Sequence, residues 1–361
     1  GKVAMSLSID FLGFRLKNPL MLTEGPFSAN KFFIERASEA EIGLIFTKGI
    51  RPEAENSPVP YIRRYEQSLM NADWSCIGLA KWLKIIASLD IRTPLVTSIA
   101  KNYVTPQTAV EMALKLVASG SQIVSFVDYD PVALIETVKL ARPVIKVPLM
   151  VKLPPFLPEL ENILTALVAA GVDAIAAMDS IGPVLSIDIE TGEPVMGSPD
   201  GRGDLSGKYI LPVPLKYIYD ISRFVNVPVV GVGGVTDHSS ALQMIMAGAT
   251  GVGMVTAPML KGLNVFKTVA QGISSYMEKK SIMNVDILRG MTHKMTQERI
   301  VSSDLKGNID QEKCTACDAC RRICYPEAVY VSLEQYHINR EQCIGCGLCA
   351  SVCPVGAVSF V

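Results

Sequence analysis

Short apolar runs recur along the chain from Asn18 to Tyr276, each followed by a loop and a helix-like segment. The runs are Pro19–Thr23, Gly43–Lys48, Pro94–Ile99, Gln122–Val127, Val147–Lys152, Asp173–Met178, Pro228–Gly233 and Gly251–Thr256. Each is bounded by Gly or Pro and is rich in Val, Ile, Leu or Met, as strands buried on both faces are. Between them, Pro106–Ser119, Asp130–Ala141, Glu159–Ala170 and His238–Ala247 carry apolar residues at helical spacing. Eight strands alternating with helices over about 260 residues predict an α/β chain folded as a (β/α)8 TIM barrel. A doubly wound open sheet explains the count of eight less well, and no Gly-rich dinucleotide turn follows the first run.

The pattern changes after the barrel. From Lys279 to about Gln311 the chain is more polar, and it reads as a linker with one or two helices. The expected domains are therefore 1–280 for the barrel, 281–307 for the linker and 308–361 for a small cysteine-rich module. That module looks duplicated, because Ile309-Asp310 before Cys314 is echoed by Ile338-Asn339 before Cys343.

Composition narrows the partners. Of 361 residues, 49% are hydrophobic and 19% charged, enough for a large core and too apolar for disorder. The net charge of -1 offers no excess of cations to displace counterions, which argues against nucleic acid. Mean hydropathy is high at +0.30, yet no uninterrupted apolar run reaches spanning length. Asp173 and Gly171 break the richest stretch. No apolar segment of a secretory leader follows the first residues, so a cytoplasmic protein is expected.

Nine cysteines are present, and eight fall between Cys314 and Cys353. They form Cys314-x2-Cys317-x2-Cys320-x3-Cys324 and Cys343-x2-Cys346-x2-Cys349-x3-Cys353-Pro354. This is the ferredoxin spacing for two [4Fe–4S] clusters, in which each fourth cysteine serves the other cluster. The expected ligand sets are Cys314, Cys317, Cys320 and Cys353, and Cys343, Cys346, Cys349 and Cys324. Zinc has no use for a third cysteine per triplet with a swapped fourth. Such a module relays single electrons, so the barrel should supply the two-electron chemistry.

Barrel active sites lie at the C-terminal strand ends. Lys48 and Lys152 end the second and fifth runs. Gly231-Val232-Gly233-Gly234-Val235 and Met254-Val255-Thr256-Ala257 end the last two and suit a phosphate site opening onto helix N-termini. A group that takes hydride and releases single electrons to iron–sulfur is a flavin, so FMN is the inferred cofactor.

Thr47-Lys48, Val151-Lys152, Ala177-Met178-Asp179-Ser180, Gly203-Asp204-Leu205-Ser206-Gly207, Gly231-Val232-Gly233-Gly234-Val235 and Val255-Thr256-Ala257 occur in the order of the dihydroorotate dehydrogenase family, which the chain resembles. With its cysteine module it is most similar to the catalytic FMN and iron–sulfur half of dihydropyrimidine dehydrogenases, including the bacterial subunit form. The resemblance implies that Thr23, Glu24 and Gly25 lie along the flavin, and that Lys48 and Lys152 contact it. It implies further that Ser206 and Gly207 belong to the sixth-strand loop, that Gly233, Gly234, Thr256 and Ala257 cradle the phosphate, and that Asn71 contacts substrate. It also implies an oligomer, and electron exchange with a ferredoxin or a subunit carrying FAD and a nicotinamide site.

Two departures stand out. The family's fourth-strand loop carries a cysteine or serine base, whereas this chain reads Ser125-Phe126-Val127-Asp128-Tyr129-Asp130, with Asp128 at the base position. The family's Asn-Thr after strand six is Asp179-Ser180 here. Asp128, with Lys48, is the expected catalytic group, and Tyr129 and Cys76 are its rivals for the proton. Asp130 reads as a helix cap, His238 as a helix-start residue and Trp74 as pocket lining or packing. Carboxylates accept hydrogen bonds only, so a site with Asn71, Asp179 and Ser180 should repel an anion such as orotate and favour a cationic or donor-rich substrate. An ordinary dihydropyrimidine or dihydroorotate dehydrogenase, or a non-catalytic electron-transfer subunit, are the alternatives.

Overall fold

The computed structural model describes residues 5–100, 105–299 and 301–361. They divide into two compact units between Gln297 and Glu298, inside the segment read as a linker.

All eight apolar runs become parallel barrel strands. They are β1 (Leu20–Leu22), β2 (Leu44–Phe46), β3 (Leu95–Ala100), β4 (Ile123–Val127), β5 (Leu149–Leu153), β6 (Ala174–Ala177), β7 (Val229–Val232) and β8 (Gly251–Met254). Each pairs with the next in sequence, and β8 closes on β1 through Val252 opposite Leu20 and Met254 opposite Leu22. Every residue of β1, β2, β5, β6, β7 and β8 is buried. Both faces are covered, by helices outside and by packed side chains inside, which is why the sequence shows continuous runs and not alternation.

The helices begin where capping chemistry allows. Thr105 accepts from the Thr108 N–H ahead of Pro106–Ala118. Asp130 accepts from the Val132 and Ala133 N–H groups ahead of Pro131–Ala141. Asp237 and Ser240 form a reciprocal capping box for His238–Met246. These side chains satisfy amides that have no partner inside the helix. Two of the three helices also use Pro at the first turn, where a missing N–H costs nothing.

A sheet that the apolar pattern did not foresee covers the C-terminal strand ends. Its four antiparallel strands are Ile62–Tyr65, Ser68–Asn71, Gly203–Gly207 and Ile181–Val184. The first two come from the chain after β2 and the last two from the chain after β6. Asn71 pairs with Asp204 and Ser68 with Gly207. Part of the expected linker also packs on the barrel: Val285 and Leu288, in the turn Val285–Leu288, belong to its core. Among the described residues, no helix is long and apolar enough to cross a membrane.

The second unit repeats one motif at an offset of 29 residues. Cys314 N–H donates to the Asp310 carbonyl and Cys343 N–H to that of Asn339. Glu312 N–H donates to Asp310 Oδ1 and Glu341 N–H to Asn339 Oδ1, each at 3.0 Å. Short helices Ala319–Ile323 and Leu348–Val352 follow the two cysteine triplets.

Asn18 pins the entry to the barrel. It is fully buried, accepts from Leu20 N–H at 2.9 Å, and donates to the Glu41 carbonyl and carboxylate at 3.2 and 3.1 Å. Asn18→Ala strands a buried amide and carbonyl and should cost about 1–3 kcal/mol. A urea midpoint within error of the parent protein would contradict this.

Candidate functional site

A cavity of about 660 Å³ opens at the C-terminal mouth of the barrel, beneath the four-stranded sheet. That volume lies in the range of cofactor and substrate pockets, roughly 300–1,000 Å³. Residues just beyond β1, β2, β4, β6, β7 and β8 line it, together with Lys152 from within β5.

Lys152 is its electrostatic centre. Its ammonium lies 2.8 Å from Glu24 Oε2 and 2.8 Å from Asp179 Oδ1, and only 5% of the side chain is exposed. Burial alone would lower its pKa. The Asp179 and Glu24 carboxylates outweigh that effect and hold the ammonium above the ordinary lysine value. Glu24 is held in turn by Ser98, whose Oγ donates to Oε1 at 2.8 Å. Tyr129 Oη donates to Asp179 Oδ2 at 3.0 Å. Burial and the Asp179 charge push this phenol well above the usual tyrosine range, and Asp204 adds to the effect. Burial also raises the Asp204 carboxyl, with Arg202 offsetting part of the rise and Asp179 adding to it.

Lys48 is held differently. Its ammonium lies 2.6 Å from Asp73 Oδ2 and 2.9 Å from Ser75 Oγ, both on the loop that follows Asn71. Asn71 itself donates to the Asp204 carbonyl at 3.2 Å and reaches Ser180 Oγ at 3.5 Å. Arg51 pairs with Glu55 at 2.9 Å, and Arg202 lies 3.9 Å from Asp204. Six carboxylates (Glu24, Glu55, Asp73, Asp179, Asp200, Asp204) thus line the cavity against four cations, and each cation has a carboxylate partner.

The opposite wall is made of glycine and hydroxyls. Gly233 and Gly234 have φ of +119° and +81°, and a Cβ on Gly234 would lie 2.4 Å from the Leu211 backbone. No side chain could occupy that bend, so the backbone itself faces the cavity. Ser206 and Thr256 hydroxyls meet there at 2.8 Å. Thr23 Oγ1, fully buried beside Gly253, has no hydrogen-bond partner among the described residues.

Most expected site residues therefore converge. Gly25, Lys48, Asn71, Lys152, Asp179, Ser180, Ser206, Gly207, Gly233, Gly234 and Thr256 all line the cavity. Thr23 and Ala257 are buried behind its wall. Asp128, the expected base, is buried and outside the lining, and its Oδ1 accepts from Asp130 N–H at 2.7 Å. Val127 at the end of β4 and Tyr129 just beyond it line the cavity. Cys76 also stays out of the wall and donates to the Glu53 carbonyl. Asp130 is a helix cap as expected, and Trp74 lines the cavity. Glu24 as an ion-pair partner was missed, although its place just past β1 follows the same strand-end rule that singled out Lys48 and Lys152. Asp73, Asp204, Arg51 and Arg202 lie in the long connections, where no periodicity marks them.

In the second unit, Cys314, Cys317, Cys320 and Cys353 share one small cavity with Ile309, Tyr336 and Val358. Cys349 is near enough to Cys346 and Cys324 for their charges to act on it. Among the described residues, no three His, Cys, Asp or Glu side chains converge as they would on a single ion. Thiolates spread around a cavity suit a larger inorganic core. Backbone amides already point at two sulfurs, Gly307 N–H at Cys343 Sγ (3.5 Å) and Ala357 N–H at Cys353 Sγ (3.2 Å).

Residues 6–277 match the dihydroorotate dehydrogenase family model, and residues 307–360 match the 4Fe-4S dicluster domain model. The chain belongs to the dihydroorotate dehydrogenase family. Relatives include dihydroorotate dehydrogenase B (NAD(+)) catalytic subunits from Geotalea uraniireducens (32% identical, over 79% of this chain and 97% of the relative) and Methanosarcina mazei (30%, over 82% and 98%). The subunit of the same name from Methanocella arvoryzae is 28% identical over 81% of this chain and all of the relative. As a dihydroorotate dehydrogenase family member the protein is an oxidoreductase acting on CH–CH bonds.

The family's flavin mononucleotide fits what is present. The glycine wall and the paired Ser206 and Thr256 hydroxyls offer donors and close approach for a phosphorylated ring system, and the Lys48 and Lys152 ammonium groups, each paired with a carboxylate, line the same cavity.

Lys152 gives a stability test. Its folded pKa lies above the unfolded value, so its contribution is intact below the ordinary lysine range and fades only as pH climbs past it. Lys152→Met leaves the largely enclosed Glu24 and Asp179 carboxylates without their cation and should cost about 3–5 kcal/mol near pH 8. Denaturant unfolding at that pH checks this, and a midpoint within error of the parent protein would refute the assignment.

Proposed function

We propose that the barrel binds FMN and catalyses hydride exchange with a small cationic or donor-rich substrate, and that the cysteine module holds two [4Fe–4S] clusters that carry single electrons to or from a partner. The observation that carries this reading is the charge of the cavity, where carboxylates outnumber cations and every cation already has a carboxylate partner. A bound flavin supplies the hydride and one-electron chemistry. The chain's own residues do the rest. Gly233, Gly234, Ser206 and Thr256 would seat the phosphate end, with Ala257 packed behind. Gly25, Thr23, Lys48 and Lys152 would surround the ring, and Gly207 keeps the wall thin at the sheet edge. Asn71, Ser180 and Asp179 would read the substrate, with Asp179 accepting its N–H groups.

Cys314, Cys317, Cys320 and Cys353 are the proposed ligands of one cluster, and Cys343, Cys346, Cys349 and Cys324 of the other. The relatives are named as catalytic subunits, which supports a separate partner subunit for this chain too, either a ferredoxin or an FAD- and NAD(P)H-binding protein. An oligomer in the cytoplasm is part of the same reading.

The relatives' names favour a second reading, a dihydroorotate dehydrogenase proper. It requires a cation free to meet the orotate carboxylate, and Lys48, Arg51, Lys152 and Arg202 are each engaged by a carboxylate of this chain.

Anaerobically purified protein should show a flavin band, broad iron–sulfur absorbance and about eight irons per chain. Cys353→Ala should remove about half the iron and leave the flavin; zinc in place of iron would defeat the cluster assignment.

Dihydroorotate should not reduce the bound flavin, and orotate should not perturb its spectrum. In Asp179→Asn, removal of one buried carboxylate should strengthen orotate binding by about tenfold or more, since each 1.4 kcal/mol is a factor of ten. Brisk turnover of dihydroorotate by the unaltered protein would overturn the changed-substrate reading and establish the second.

A further inference from the structure

We propose that Tyr129 is the general acid of this site, delivering the proton to the carbon next to the one that takes hydride, so that the barrel works as a reductase of a polarised C=C bond. The proposal rests on the flavin-dependent reading above.

The geometry begins at β4. Its loop has no cysteine, and the side chain it turns into the cavity is Tyr129, not Asp128. The phenol oxygen is the outer end of a hydrogen-bonded chain. Tyr129 Oη donates to Asp179 at 3.0 Å; Asp179 and Glu24 each hold Lys152 at 2.8 Å; Ser98 holds Glu24 at 2.8 Å. Lys152 and Ser98 lie within barrel strands, so the far end of the chain is fixed by the core. A phenol anchored in this way presents Oη at a defined place in the cavity.

The same contacts decide which way the proton moves. The Asp179 and Asp204 charges acting on the phenol both favour its neutral form. At neutral pH Oη therefore holds a proton and serves as a donor, not as a base. Rotation about the Cζ–Oη bond turns the hydrogen from Asp179 to the cavity once a substrate N–H donor takes over that carboxylate. Tyr129 is 54% exposed, so water can restore the proton.

The step balances. One alkene carbon takes hydride from the reduced flavin, the π bond breaks toward its neighbour, and that neighbour forms a C–H bond with the proton from Oη. Tyr129 is left as phenolate and is reprotonated by water. The flavin is left oxidised, and two single electrons from a low-potential donor, through the iron–sulfur module or from dithionite, reduce it again.

The test uses full-length protein with flavin and clusters, reduced with one equivalent of dithionite. Crotonamidine, a cationic donor-rich alkene, and ferricyanide, which needs no proton at carbon, are mixed with the parent protein and with Tyr129→Phe. The variant should be reoxidised by crotonamidine about 10²-fold or more slowly at saturation, with its apparent affinity little changed and its ferricyanide rate unaltered. Equal crotonamidine rates overturn the proposal. A second readout does not depend on turnover: with 13Cζ-labelled tyrosine, the resonance missing from Tyr129→Phe should stay in its phenol form through pH 11 in the parent and titrate earlier in Asp179→Asn. A Tyr129 that titrates alike in the parent and in Asp179→Asn overturns it. Protein that binds no flavin would fail the underlying reading at the first spectrum, before either comparison.

Discussion

One ammonium organises the mouth of this barrel. Lys152 sits within β5 at a depth where a solitary charge would be driven to neutrality, because desolvation disfavours the charged form. It stays charged because β1 and β6 each send a carboxylate to it, Glu24 and Asp179. Those carboxylates need further donors, and Ser98 on β3 and Tyr129 after β4 provide them. Five strand ends are thus tied to a single desolvated charge, and the side chains that face a ligand are held by hydrogen bonds before any ligand arrives. Such preorganisation is what a reaction with developing charge requires of its surroundings.

The barrel was legible in the sequence for a definite reason. Strands buried on both faces, such as Ala174–Ala177 or Val229–Val232, have no polar face, so they appear as unbroken apolar runs between Gly and Pro. The cysteine spacing was legible because metal chemistry, not packing, dictates it. The covering sheet was not legible. Gly203–Gly207 reads Gly-Asp-Leu-Ser-Gly, a loop by composition, and becomes a strand only because Ser68–Asn71 lies beside it, more than 130 residues earlier in the chain. Asp128 illustrates a finer limit. Correspondence of motif position selected it, while the chain just past β4 brings Val127 and Tyr129, not Asp128, to the cavity lining, a turn that no motif position marks.

The cysteine module was legible at two levels. Its internal repeat, faint in Ile309-Asp310 and Ile338-Asn339, returns as matched hydrogen bonds from Cys314 and Cys343 to the residues four positions before them. Each half closes its own cysteine triplet locally and leaves its fourth cysteine, Cys324 or Cys353, beyond a short helix. A cubane has a corner that three closely spaced thiolates cannot reach, so in the proposed two-cluster reading the halves would exchange fourth ligands. Cys353 lines the cavity of the first triplet.

Substrate choice and fold are separable in this architecture. Most residues that line the cavity come from beyond the strand ends or from the covering sheet, and strand residues such as Val127, Lys152, Val232 and Met254 reach it only at the C-terminal ends of the barrel. Replacing an amide by a carboxylate at Asp179 leaves the barrel's packing intact, but it changes a group that donates and accepts into one that only accepts. Lys152 makes that exchange tolerable, since a second buried carboxylate beside Glu24 is neutralised by the cation between them. The cation that would contact an anionic ligand is thereby engaged by the protein itself. In the proposed reading, a carboxylate at this position does two things at once: it would withdraw positive charge from the cavity and add a hydrogen-bond acceptor to it, and both would move selectivity in the same direction.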